Sequence, residues 1–303
     1  MARRADRHLL FHLDRGDRRF RARSRLPGRF PFCRHAGNRR RRELAKSADC
    51  RCSPAVLGRQ SPHPFRIDCD HRDGAIGARL GVATLLLLVA LIGGRITPSF
   101  TRNWLAKQRP DGAMPASFDF LDRAALAATA LACAIWVAAP EGMLAPWLEL
   151  VAGVTLGLRL ARWRDQATLR EPLLWVLHLG YGWLSFGFLL LALSGLNPAL
   201  PQSAALHALT VGAIGTMTLA VMTRASLGHT GCPLTAGPGT TTIYALVTLA
   251  TVLRLAASID GSGYIVFLSL AAAAGSGAFG LFALLYAKPF MAPRVKDETA
   301  RPI

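Results

Sequence analysis

Three histidines stand in the apolar part of the chain, and a neutral imidazole is a common ligand for haem iron and copper. His178 lies in Trp175-Val-Leu-His-Leu-Gly-Tyr-Gly-Trp183. His207 opens the run His207-Ala-Leu-Thr-Val-Gly-Ala-Ile-Gly-Thr-Met-Thr-Leu-Ala-Val-Met-Thr-Arg-Ala-Ser-Leu-Gly-His-Thr-Gly231, and His229 nearly closes it. An ionisable group inside an apolar helix is expensive to bury, so each histidine is a candidate for function. The plainer role for each is a hydrogen bond to a neighbouring helix. Met217, in the same run, offers a soft thioether suited to Cu(I), against an ordinary core role. Arg95 and Arg102, in Gly93-Gly-Arg-Ile-Thr-Pro-Ser-Phe-Thr-Arg-Asn-Trp104, have the chemistry to hold a carboxylate such as a haem propionate. Otherwise they are basic flanks of a membrane helix.

These residues need helices to position them. At about 100° per residue, His207, Thr210, Ile214, Met217, Thr218, Val221 and Arg224 share one broad helical face, which Gly228 and His229 join if the helix continues. Gly212 and Gly215 lie off that face and suit close approach by a neighbouring helix. His178 falls six residues into its helix, roughly 9 Å from the end. His207 is near the opposite end of the next helix, about 15–20 Å from His178 in depth, too far for the two to be axial ligands of one haem. His229 is at a depth more compatible with His178. Each histidine could also ligate together with a group from outside these helices.

The chain has 303 residues, is 51% hydrophobic and carries a formal net charge of +18. The charge is unevenly placed. Residues 1–74 hold 19 Arg and one Lys against eight acids, whereas residues 75–303 hold 16 basic and 10 acidic groups. Residues 1–74 contain no long apolar run and read as a disordered arm. Their nearly pure arginine, scattered among Cys, His, Pro, Ser and Gly, resembles a shifted reading frame or a misplaced start more than a nucleic-acid-binding tail. Cys33, Cys50, Cys52 and Cys69 lie there, but Cys50-Arg-Cys52 lacks the usual spacing of a zinc site.

From residue 75 onwards about seven apolar segments are long enough, or nearly so, to span a bilayer. They are Ala75–Gly94, Ala124–Ala139, Gly142–Leu158, Pro172–Leu196, Ser203–Thr223, Thr241–Ile259 and Tyr264–Tyr286. The expected fold is therefore an all-α polytopic bundle over residues 75–290, with a tail over 291–303. Basic loops alternate with loops that lack Lys and Arg: Arg95 to Arg123, Arg159 to Arg170, Arg224 and the C-terminal tail form the basic set. By the positive-inside rule that set and the C-terminus are cytoplasmic. Arg224 and Arg254 read as snorkelling residues.

Three segments resemble the NnrS family in the right order: Gly93–Leu105, Leu177–Leu184 and His207–Gly231. The resemblance implies a bacterial inner-membrane protein of about twelve spanning helices, of which this chain would hold about seven. It implies haem and copper as cofactors, nitric oxide as the small-molecule ligand, and a role in denitrification and the nitrosative stress response. It also raises His207, His229 and His178 as metal ligands. The lipid bilayer is the expected partner, and nucleic acid is not. Two other classes compete. A transporter predicts internal repeats and an ion-binding group within the spans; no repeat is visible, and Glu149 is the exception among spans nearly free of acids. A non-catalytic assembly subunit predicts that the histidines are dispensable.

Overall fold

The computed structural model describes residues 71–108, 114–163, 168–231, 233–259 and 263–291. The expected disorder and foreign origin of the arginine-rich arm fall almost entirely outside these residues, as do its cysteines. So does nearly all of the tail over 291–303. The chain divides into two units, Met1–Phe65 and Arg66–Ile303, and the fold below is that of the second.

The described residues form seven helical rods joined by short connections, with no strand among them. Rod one joins α1 (His71–Leu88), a π-helical stretch π1 (Val89–Gly93) and α2 (Gly94–Gln108). Rods two to four are α3 (Phe120–Ala138), α4 (Ala145–Ala161) and α5 (Pro172–Leu196). Rod five joins α6 (Gln202–His207), a second π-helical stretch π2 (Ala208–Gly215) and α7 (Thr216–Thr230). α8 (Pro238–Ile259) and α9 (Tyr264–Met291) complete the bundle. Six rods are long and apolar enough to cross a membrane; α4, with 17 residues, is the short one.

Local chemistry sets the helix ends. Asp119 caps α3, accepting from the Leu121 N–H, while Asp122 reaches back to the Asp119 N–H. This capping box satisfies donors that a helix start leaves free. Pro172 opens α5 at a position where no N–H is needed. α7 ends where Gly231 adopts a left-handed φ of 74°, which glycine tolerates without strain. Rod five thus runs seven residues past Thr223, and His229 lies in its last turn rather than beyond it.

α5 is the central element, and glycines bring its neighbours close. A Cβ at Gly187 would meet Leu209 at 2.6 Å, and one at Gly153 of α4 would meet Leu189 at 2.7 Å. Gly212 does what its position off the polar face predicts: a Cβ there would meet Trp183 at 2.9 Å. Gly215 is not crowded in this way, since its nearest side chain, Val247, would be 3.8 Å away. Large apolar residues that line the outer surface, such as Leu88, Trp147 and Leu284, are exposed. An outward-facing apolar coat over a close-packed interior is the pattern a lipid environment requires.

Candidate functional site

Among the described residues, Arg159 of α4 is the buried cation, 1% exposed and held by four hydrogen bonds. Read from sequence as one of the basic loop residues, it is instead an interior residue near the end of α4. Its Nε donates to Asp122 Oδ1 at 2.5 Å. Nη1 donates to the Ala90 carbonyl at 3.1 Å and the Tyr181 hydroxyl at 2.9 Å. Nη2 donates to the Gly94 carbonyl at 3.1 Å. The guanidinium also lies 5.4 Å from the centroid of the Trp163 ring. A buried charge is tolerable only when paired and hydrogen-bonded, and this one is both.

Rod one supplies the acceptors for a reason written in its sequence. Pro98 has no N–H, so the Gly94 carbonyl one turn earlier has no α-helical donor. The π-helical turn just before it opens the backbone around Ala90. Gly94 leaves room for the guanidinium, since a Cβ there would sit 2.4 Å from Nη1. Gly94 and Pro98 are therefore the local signals for this site. Asp122, an acid in the first turn of a largely apolar helix, is the third.

Arg95 and Arg102 are brought together. Both line a half-open cleft of about 260 Å³ with Ser99, Phe118, Asp122 and Trp163. Arg102 also donates to the Pro115 carbonyl at 3.2 Å. At the rim, Arg162 pairs with Asp119 through both carboxylate oxygens, at 2.8 and 2.5 Å. Those hydrogen bonds hold the Asp119 carboxyl well below its ordinary value and push the Arg162 guanidinium up.

His178 lies behind the same cleft. Its ring meets Trp163, a cleft wall, edge-on at a centroid distance of 6.4 Å. Nδ1 is 3.0 Å from the Leu174 carbonyl, and Nε2 is 3.4 Å from Thr101 Oγ1. Thr101 already donates its hydroxyl proton to the Thr97 carbonyl at 2.9 Å. The Leu174 carbonyl can only accept, so a neutral imidazole bonded to it carries its proton on Nδ1 and its lone pair on Nε2. A backbone carbonyl that fixes the Nδ1–H in this way is the usual support of an Nε2 metal ligand.

The other two histidines are elsewhere. The backbone of Met217 packs beside Gly180, so His178 is level with about Leu219, some 12 residues or about 18 Å along rod five from His207. His207 is half-buried at the opposite end of the bundle, where Arg254 of α8 acts on it electrostatically. His229 is exposed, about 15 Å beyond the level of His178 in the other direction. Met217 lines a different cavity, an apolar groove of about 270 Å³ between rods one and five, with Ile92, Gly93, Ile214, Thr218 and Met222 among its walls. The expected helical face thus survives from Ile214 to Val221. His207, about 10 Å further along the rod than Ile214, is not among the groove's lining residues. Arg224 closes the series with its guanidinium 4.0 Å from the centroid of the Phe100 ring.

Among the described residues no three His, Cys, Asp or Glu side chains converge. Two thioethers and a hydroxyl on an apolar groove are too few donors for a built copper site. A single imidazole with its Nδ1–H fixed, near two arginines, suits one axial position and the propionates of haem.

Comparison with known proteins bears on these features directly. The family described as "NnrS protein" matches residues 63–294. No curated protein and no solved structure matches the chain. The match spans every described rod, including the Gly94–Pro98 turn, His178 and the whole of rod five, and the chain belongs to the NnrS family.

Proposed function

We propose that this membrane protein acts in the response to nitric oxide and nitrosative stress, with haem held at the end of the bundle that carries Arg95, Arg102 and His178. Family membership over residues 63–294 is the observation that carries this reading. The geometry adds to it. Of the three candidate histidines, His178 alone has both a carbonyl-fixed imidazole and an arginine-lined cleft beside it. His178 would hold the haem iron through Nε2, and Arg95 and Arg102 would hold the propionates. When bound, haem supplies an iron that takes nitric oxide directly. His207 and His229 are the alternative ligands, each at its own level of the bundle. Copper, which the family implies, would take Met217 as one soft donor and requires others from elsewhere. The protein lies in the bacterial inner membrane with its basic loops and C-terminus in the cytoplasm.

The test is growth under a nitric oxide donor. Cells that make this chain are expected to tolerate more donor than cells with an empty vector, and His178→Ala is expected to abolish the gain. Tolerance unchanged by the chain would refute the stress role. A transporter or an assembly subunit would keep its effect in the histidine variants.

A further inference from the structure

Among the described residues, Glu149 is the buried acid that the Arg159 network does not use. It is the fifth residue of α4, about 6 Å from the start of that helix. It is only 3% exposed. Among the described residues it makes neither a hydrogen bond nor an ion pair. Its surroundings can be traced from the packing of α4. On the α5 side, Pro146 meets Gly195 and Gly153 meets Leu189, so Glu149 faces the segment between them. That segment, Leu189–Leu196, contains no titratable residue. On the α3 side the titratable neighbour is Cys133, which is buried and close enough to feel the Glu149 charge. One turn along α3, Trp136 buries an indole N–H that has no acceptor among the described residues. Among the described residues the titratable neighbour of Glu149 is thus a thiol, and no cation pairs with it.

An ionised carboxylate in such a place has neither water nor counter-charge, and its solvation cost is large. The carboxyl can meet that cost by taking up a proton. Arg159 lies ten residues further along α4, a rise of about 15 Å, and its guanidinium is engaged with Asp122, too far to serve as a counter-ion. Exposed Glu141, in the turn before α4, places the start of this helix at the protein surface. A proton needs to travel only about a turn and a half of helix from that turn to reach Glu149.

We propose that Glu149 is a proton-binding site inside the bundle, loaded and unloaded from the end where α3 turns into α4. One proton adds to the carboxylate to give the neutral acid, and the same proton leaves to the water at the Glu141 turn. The proposal does not rest on the nitric oxide reading.

A hydrophobic carbodiimide attacks protonated carboxyls in apolar surroundings, so it is the appropriate probe. The full chain in membranes is treated with dicyclohexylcarbodiimide over a series of pH values, and the adducts are mapped by mass spectrometry. The expected result is an adduct on Glu149 and not on exposed Glu141, lost as the pH rises. Infrared spectra of the same membranes in light and heavy water give a second readout. They are expected to show a neutral carboxyl band that shifts on exchange, disappears at high pH and is absent from Glu149→Gln. Absence of both the adduct and the band would overturn the proposal. An adduct and band that persist unchanged across the pH series would also overturn it, because they describe a trapped acid and not an exchanging site.

Discussion

At the scale of single residues, the bundle's interior charge is concentrated in one cation. Arg159 answers Asp122, Tyr181 and two carbonyls that rod one leaves open. Removing one partner of a buried pair strands the other, at a cost of about 3–5 kcal/mol. Arg159→Met is therefore expected to lower thermal stability in detergent by that order, and Arg159→Met with Asp122→Leu to recover part of the loss. Equal stability of Arg159→Met and the parent would contradict the assigned network. The Asp119–Arg162 pair at the cleft rim makes a smaller, pH-dependent contribution, since both side chains are partly exposed. The Asp119 pKa is lowered in the folded state from an ordinary value of 3.8. Its stabilisation is therefore complete above that value and declines as the pH falls below it. Asn caps helices as well as Asp. Asp119→Asn is thus expected to keep α3 intact while flattening the acid limb of a melting-temperature profile. The histidines, Arg95 and Arg102 stand out in the sequence as candidates because their types are rare in apolar helices. Arg159 does not, because an arginine near a helix end looks the same whether it faces water or the interior. Only the carbonyl freed by Pro98 distinguishes the two.

At the scale of elements, hydrophobic runs bounded by proline and glycine located all seven rods. Pro172–Leu196 matches α5 at both ends. Ends set by local chemistry were harder to place. Rod five continues to Thr230 because Gly231, and not the polar Thr223–Arg224 pair, stops it. The two π-helical stretches left no clear mark in the sequence, since they arise from packing and not from residue type. A regular 100° periodicity puts His207 on the same face as Met217, whereas the wider turns of the π2 stretch between them do not keep that period. Close packing of α4 on α5 depends on Gly153, where an added Cβ would lie 3.0 Å from the Leu189 backbone nitrogen. Backbone cannot yield as a side chain can. Gly153→Ala is expected to destabilise by about 1–3 kcal/mol, read as a lower melting temperature in detergent. Gly280, with open space around it, is the control and is expected to accept Ala with little change.

At the scale of the whole molecule, the described residues form a bundle with a polar end and an apolar waist. The polar end gathers Arg95, Arg102, Arg159, Arg162 and His178, and the waist carries the apolar groove with Met217. The proposed cytoplasmic C-terminus follows from the same distribution of charge. A fluorescent reporter that matures only in the cytoplasm, fused after Ile303, is expected to fluoresce; a dark fusion with an active periplasmic phosphatase counterpart would reverse the assigned orientation. Among the described residues no second imidazole lies at the level of His178, so the proposed haem site would depend on that one ligand. The most direct test is the reduced-minus-oxidised visible spectrum, with metal analysis, of the chain purified from membranes beside its His178→Ala, His207→Ala and His229→Ala variants. The account predicts a haem Soret band in the parent that His178→Ala abolishes and the other two variants retain. A parent without haem, or a band that survives in His178→Ala, would contradict it.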